Sequence, residues 1–379
     1  MNSDKRTTAD RQRLAGCILT PGGWIRGEIE FTSKIWRVDG TSADYPHVDD
    51  AIILPGFIDL HVHGGGGADV MSGGDAIDTI ARTHARNGTT AILATTVTAA
   101  RSELEVAIAP VGHAVTNRSP GCARVLGVHL EGPYINSRKL GAQPDFARSA
   151  NMDELQALNE IARIRIVTLA PEMVGHLEFV RGLKHLGIVV QCGHTSGSYE
   201  HGVAALSAGA KGFTHLFNAM SPFQHREPGM VGAALAHADY AEIIPDLIHV
   251  HPGAIRAALR SIPYLYCVTD STAASGMPDG EYRLGTHRVT KCMGGVRLSD
   301  GTLAGSTLTM DQALRNLVKI GLDVADAARR LSTYPANHIG LADRGRLERG
   351  VWADLVVLTP DLQVKAVYVE GESIVLTDA

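Results

Sequence analysis

Residues 55–67 read PGFIDLHVHGGGG, an apolar run that closes on two histidines and then breaks up into glycine. Residues two apart on a β-strand face the same side, so His61 and His63 point together while Val62 points away. A pair of imidazoles on one face suits a divalent transition metal. The glycines that follow let the backbone leave the strand sharply and keep bulk away from the space over the histidines. An HxH pair on a buried strand is equally compatible with histidines that satisfy themselves inside a core. Its neighbours have to decide between the two.

Working outward, the chain from about residue 55 to 342 alternates apolar runs of strand length with amphipathic helical segments, the pattern of parallel βα units. Eight runs stand out: FIDLHVH, TAILATT, RVLGVHLEG, RIRIVTLAPE, GIVVQCGHT, GFTHLFN, EIIPDLIHV and LYCVTDS, most of them followed by a helical stretch such as 75–87 or 198–208. Eight units imply a (β/α)8 barrel. The apolar runs repeatedly end in residues that bind metals or move protons: His61 and His63, Glu131, His194, His215, His249 and Asp270. In such a barrel the C-terminal strand ends share one face, and that face carries the active site. His129, two residues before Glu131, is expected one layer deeper, as a packed histidine and not a ligand. His84, His113, His176, His185, His201 and His237 fall in helical or polar stretches and are read as solvated surface residues. Cys192 is read as buried filler, since nothing nearby promises a depressed thiol pKa.

The two ends have a different texture. Residues 14–54 and 343–379 show short β-like pieces with Gly, Pro and Asp between them, which predicts one small β-domain assembled from both chain ends. The expected division is a flexible tail over 1–13, the first part of the β-domain over 14–54, the barrel over 55–342, and the second part of the β-domain over 343–379. With 379 residues, 45% hydrophobic and 20% charged, the chain has the profile of a soluble globular protein. A net charge of −5 and the lack of a basic stripe argue against nucleic acid as a partner. Five scattered cysteines without a CxxC spacing support neither a disulfide framework nor a zinc knuckle. Residues 1–13 do not read as a signal peptide, and no apolar run is long enough to span a bilayer. A cytoplasmic protein without membrane contact is expected.

PGFIDLHVHG, GVHLEGPYI, GHTSGSYE, FTHLFNAMSP, HREPGMVGAAL, VTDSTAASGMPDG, GTLAGSTLTMDQALRNLV, YPANHIGL and RGRLERGVWADLVVL together resemble the N-acetylglucosamine-6-phosphate deacetylases of the amidohydrolase superfamily. The resemblance runs from about residue 53 to 358. It implies a distorted (β/α)8 TIM barrel with a small β-sandwich, and a homodimer in which the phosphate site is completed across the interface. It implies Glu131, His194 and His215 as metal ligands, Asp270 as catalytic acid/base, and Asn218, Ala219, Arg226 and His249 as contacts to a sugar phosphate. Ala142, Gln143 and Leu308 are further candidate substrate contacts. The implied reaction is metal-dependent hydrolysis of the acetamide of N-acetyl-D-glucosamine-6-phosphate in amino-sugar catabolism. Deacetylation of N-acetylgalactosamine-6-phosphate, and a non-catalytic sugar-phosphate sensor, are the alternatives.

The chemistry agrees with those residues. Amide hydrolysis needs an activated water, stabilisation of an oxyanion and a proton for the departing amine. A divalent metal serves the first two needs, and Asp270 serves the third by taking the water's proton and passing it to nitrogen. Zinc is the expected metal, with iron, cobalt or manganese as alternatives, at one or two ions per subunit. Because the chain keeps His61 and His63, which some family members lack, a two-ion site is expected. Glu131 would bridge, with His194 and His215 on one ion and His61, His63 and Asp270 on the other. Gln143 stands where related enzymes often carry a histidine thought to polarise the amide carbonyl, and glutamine cannot become cationic. Dihydroorotase- and hydantoinase-like relatives bridge two metals with a modified lysine on the fourth strand. RIRIVTLAPE contains no lysine.

Overall fold

The computed structural model describes residues 11–47 and 49–377. Eight parallel strands build the barrel wall among these residues: Phe57–Val62, Thr89–Thr96, Arg124–Glu131, Ile164–Leu169, Val189–Cys192, Gly212–Phe213, Tyr240–Ile243 and Tyr264–Cys267. Each leads to a helix that returns the chain: Ala76–Ala85, Arg101–Thr116, Met152–Ile161, His176–His185, Tyr199–Ala208, Gly229–His237, Pro252–Ser261 and Met310–Lys319. The chain forms the distorted (β/α)8 barrel expected of it. Distortion lies in the closure. The first six strands share one continuous sheet, whereas the last two pair only with each other. Isolated hydrogen bonds outside the ladders help complete the ring: Leu216 N–H donates to Glu242 O at 2.9 Å, Asp270 N–H donates to His61 O at 3.0 Å, and His63 N–H donates to Ser271 O at 2.9 Å.

Strand 52–55 runs almost directly into strand 57–62, so one stretch of chain serves two sheets. Ile52–Pro55 sits in a seven-stranded sheet made from both chain ends, in the order 372–373, 364–369, 355–358, 52–55, 12–20, 23–31, 35–42. Strand alternation divides its side chains. Ile18, Ile53, Leu355 and Val357 join a small core of their own, while Cys17, Leu19, Ile52, Leu54, Val356 and Leu358 turn toward the barrel core. Gly56 makes the junction possible, because a Cβ there would lie 2.2 Å from the Thr90 side chain. The expected tail over 1–13 falls mainly outside the described residues, and its last two residues open the first strand, Gln12–Thr20.

Several strands are shorter than their apolar runs. GFTHLFN contributes only Gly212–Phe213 to the ladder, because His215 turns left-handed at φ 31°. EIIPDLIHV leaves the sheet after Ile243. Pro245 has no N–H to donate, and Leu247 takes φ 64°. An insertion that the pattern did not announce, a four-stranded antiparallel sheet over 280–306, stands at the barrel mouth before the last of these helices.

Two histidines expected at the surface are buried. His84 reaches Gly64 O at 3.1 Å and Ser271 Oγ at 3.0 Å, and His176 bonds Ala170 O at 2.8 Å and accepts from Ala150 N–H at 3.0 Å. Each lies on the buried stripe of its helix, with Ile77, Ile80 and Ala81 in one case and Phe179, Val180 and Leu183 in the other. His113, His185, His201 and His237 are exposed as expected. Cys192 is fully buried, and burial pushes its thiol pKa up. Among the described residues no helix is long and apolar enough to cross a membrane.

The two units are tied by charge. Arg344 pairs with Asp354 and Glu370, and Glu370 pairs with Arg124 of the barrel at 2.7 Å. Arg344 and Asp354 are 5% and 3% exposed. Arg344→Met should destabilise the protein by about 3–5 kcal/mol, because it leaves Asp354 buried without its cation. An unchanged thermal midpoint in the variant would show that the network adds nothing to stability.

Candidate active site

The C-terminal strand ends bring four imidazoles and two carboxylates to one place. Glu131 ends the third strand at its centre. Its Oε1 lies 3.1 Å from His194 Nε2 and 2.9 Å from His215 Nε2, which are themselves 3.1 Å apart. Its Oε2 lies 3.2 Å from His63 Nε2 and 3.6 Å from His61 Nε2. Asp270 faces the same pair, with Oδ1 3.4 Å from His61 Nε2 and 3.2 Å from His63 Nε2. Two triads result, Glu131–His194–His215 and His61–His63–Asp270, with Glu131 between them.

The local backbone is strained to achieve this. His194, His215 and Asp270 have φ of 48°, 31° and 49°, a left-handed conformation that costs a side-chain-bearing residue about 1–3 kcal/mol. Such turns throw three of the six side chains inward at the point where their strands end.

Hydrogen bonding fixes which nitrogen faces the centre. His194 Nδ1 donates to Lys139 O at 2.7 Å and His63 Nδ1 donates to Thr95 O at 3.2 Å, since a carbonyl oxygen can only accept. His61 Nδ1 donates to the buried Glu242 carboxylate at 2.9 Å. In each neutral imidazole the lone pair therefore sits on Nε2 and points at the other donors and at carboxylate oxygens. Lone pairs brought this close need a cation between them, so the residues fit a divalent metal by their own geometry. His129 is different. Its Nδ1 donates to Leu60 O at 2.9 Å and its Nε2 meets Thr168 Oγ1 at 2.7 Å, so the ring is satisfied and makes no ligand.

Electrostatics agree. Burial opposes charge on both His61 and His63, yet neighbouring Glu131 and Asp270 outweigh it. They hold His61 well above its ordinary value and His63 at about 9. Burial would raise Glu131 and Asp270, but His61 beside both of them, with His194 at Glu131 and His63 at Asp270, lowers them. Without a metal the centre draws protons to neutralise its carboxylates.

A cleft of about 340 Å³ opens above it, lined by His63, Glu131, His194, His215, Asp270, Ala142, Gln143, Asn218, Ala219 and His249 among others. His61 lies beneath this lining, fully buried. Gln143 is turned to the centre itself: its Oε1 accepts from Thr98 N–H at 2.6 Å and its Nε2 donates to Glu131 Oε2. His249 Nδ1 is held by Asp246 at 2.7 Å. The Asn218 N–H closes on His215 O at 3.0 Å, so that donor is already engaged. Two expected contacts lie elsewhere. Leu308 is buried in the core at 6% exposure, and Arg226 is exposed, lining a separate cleft with Ser196, Tyr199 and Glu227.

The sequence reading missed Arg138 and Lys139, which line the main cleft, and Glu242 below it. Arg138 and Lys139 lie in a single 3-10 turn, Ser137–Lys139, too short to carry a periodic signal. Glu242 opens the run EIIPDLIHV, and a lone acid inside an apolar strand was the available clue.

The family model of the amidohydrolase family matches residues 52–374. The chain belongs to the amidohydrolase family. It is 39% identical to the N-acetylgalactosamine-6-phosphate deacetylase of Escherichia coli O157:H7, over 94% of this chain and 97% of that one. It is also 39% identical to the N-acetylglucosamine-6-phosphate deacetylase of Vibrio furnissii, over 89% and 87%. Among solved structures, a mutant N-acetyl-D-glucosamine-6-phosphate deacetylase of Mycobacterium smegmatis, in complex with N-acetyl-D-glucosamine-6-phosphate, superposes with a TM-score of 0.90. That chain is 34% identical, over 97% of this chain and all of that one.

The pKa of His63 sets a pH signature for the metal-free protein. Raised from 6.5 to about 9, it contributes stability that is complete below pH 6.5 and lost as pH climbs through 9. Chelated protein should therefore melt at progressively lower temperature from pH 6.5 to 9. Zinc, whose ligands give up their protons, should weaken that dependence. A melting temperature of the chelated protein that is flat over this range would contradict the assignment.

Proposed function

We propose that this chain hydrolyses the acetamide of an N-acetylated hexosamine 6-phosphate, releasing acetate and the free amino sugar phosphate. N-acetyl-D-glucosamine-6-phosphate is the first substrate. The observation that carries the reading is the pair of donor triads with Glu131 between them and the Asp270 carboxylate lining the cleft. A binding module has no use for such a proton carrier beside a metal. The galactosamine epimer is the second reading, supported by 39% identity to the Escherichia coli enzyme named for it.

Glu131, His194 and His215 would hold one ion, and His61, His63 and Asp270 a second, with one Glu131 oxygen directed at each pole. A divalent cation here supplies acidification of water and positive charge beside the developing oxyanion. Asp270, lowered and so ionised at neutral pH, accepts the proton of the attacking water as the new C–O bond forms. It returns that proton to the nitrogen as the C–N bond breaks, so the amine leaves neutral. Gln143 steadies Glu131 through its side-chain N–H. His249, anchored by Asp246, and Lys139 and Arg138 at the cleft offer donors to a sugar phosphate. Arg226 opens away from this cleft and makes no ion pair among the described residues. This arrangement supports a homodimer in which the partner's copy completes the phosphate site.

Acetate release should be measured with both N-acetylated epimers and with unphosphorylated N-acetylglucosamine, using chelated and metal-restored enzyme. Turnover is expected to require phosphate and metal together, and the epimer ratio names the substrate. No release from any of the three with metal present would reject the reading. Asp270→Asn should lower kcat by roughly 10²–10⁴-fold while the Glu131–His194–His215 pole keeps its ion. Gln143→Ala should slow turnover or weaken metal binding by about 10-fold through a loosened Glu131. An unaltered rate and affinity would make Gln143 a spectator.

A further inference from the structure

Beneath the donor triads lies a polar layer that the reaction does not use. Glu242, fully buried near the end of strand Tyr240–Ile243, is surrounded by donors on both oxygens. Oε2 accepts from His61 Nδ1–H at 2.9 Å and from the His215 backbone N–H at 3.2 Å. Oε1 accepts from Gln191 Nε2–H at 2.7 Å and faces the Tyr266 hydroxyl at 3.2 Å. A buried carboxylate without donors is costly, and this one has partners from four residues on four different strands or strand ends.

His61 differs from its neighbours in this respect. His63 and His194 give their Nδ1–H to neutral backbone carbonyls, Thr95 O and Lys139 O. Among the described residues His61 alone of the four gives it to a carboxylate, which leaves no choice of tautomer and makes the remaining nitrogen more basic. That nitrogen, Nε2, stands 3.2 Å from His63 Nε2 and 3.4 Å from Asp270 Oδ1. Asp59, a further acid beside His61, accepts from its backbone N–H at 3.3 Å and from Thr269, so it holds the strand and not the ring. His129 packs edge-on against His61 at 4.6 Å between ring centroids but has both nitrogens engaged.

We propose that Glu242 is a positioning residue that commits His61 to binding through Nε2 and thereby sets the cation affinity of the His61–His63–Asp270 pole, separately from the Glu131–His194–His215 pole. The inference rests on the two-ion reading given above. It identifies which residue outside the ligand set makes the second ion tight.

The test is metal analysis of the zinc-loaded enzyme, with retention of each ion followed under graded chelator competition, for wild type, Glu242→Gln and His61→Ala. Wild type is expected to hold two ions per chain. Glu242→Gln should hold one ion as tightly as wild type and the other roughly 10–100-fold more weakly, approaching the one-ion state of His61→Ala. In the cobalt-loaded enzyme the same variant should lose one component of the visible spectrum and keep the other. Glu242→Asp keeps the charge but withdraws the oxygen from His61. It should show the same selective weakening to a smaller degree, and it carries the test should Glu242→Gln not fold. Two ions held with wild-type affinity in the variants would overturn the proposal. So would equal weakening of both, the mark of a general structural role. A wild type that holds one ion would overturn the two-ion reading, and the proposal with it, a result visible in the wild-type measurement alone.

Discussion

Six side chains near the barrel mouth bring nitrogen and carboxylate lone pairs within 2.9–3.6 Å of one another inside a buried site. Such an arrangement repels itself unless positive charge lies at its centre, whether as protons or as metal. Much of the surrounding structure can be understood as what is needed to hold it. Left-handed turns at His194, His215 and Asp270 are unfavourable locally. They persist because the barrel strands on either side leave the backbone no alternative course. The carbonyls of Thr95 and Lys139 and the carboxylate of Glu242 then hold the rings by their far nitrogens. His194 is held at both points, whereas His61 and His63 are held by the outer nitrogen and His215 and Asp270 by the backbone turn.

The same logic runs one layer further down. Glu242 is a buried anion, and burial alone would keep its carboxyl protonated, but His61 above all, together with His129 and Gln191, holds it at about 2. Its charge and the charge wanted by the centre are therefore linked through a single imidazole. Asp59 carries out a parallel task on the backbone. It ties strand Phe57–Val62 to Thr269 at the end of the eighth strand, where the barrel ring closes. The closure of the fold and the aim of the ligands depend on one pair of neighbouring strands.

The small β-domain belongs to this arrangement because the strand that bears the HxH pair begins in it. Ile52–Pro55 and Phe57–Val62 are separated by Gly56 alone. The alternate faces of the first segment are buried on both sides, in the domain's own core and against the barrel. Ion pairs from Arg344 and Glu370 to Asp354 and Arg124 lock the second half of that domain to the same wall.

Much of this was legible in the chain. The alternation of apolar runs and helical stretches announced eight βα units. The repeated placement of His, Glu and Asp at the ends of the runs announced their convergence, because parallel strands in a barrel must end on one face. The heptad-like spacing of His84 with Ile77, Ile80 and Ala81, and of His176 with Phe179, Val180 and Leu183, would have revealed those two as buried had the helices been read by period and not by polarity. Other features had no local signature. Strand length depended on left-handed turns at His215 and Leu247 that no composition predicts. Arg226 was placed by a loop path, and Gln143 by its contact with Glu131. Residue order determined which side chains could meet, since period and strand direction are properties of the chain itself. Only the tertiary structure decided that Glu242, far along the chain from His61, would hold that ring, because a carboxylate's role in a buried layer is set by the donors that packing brings to it.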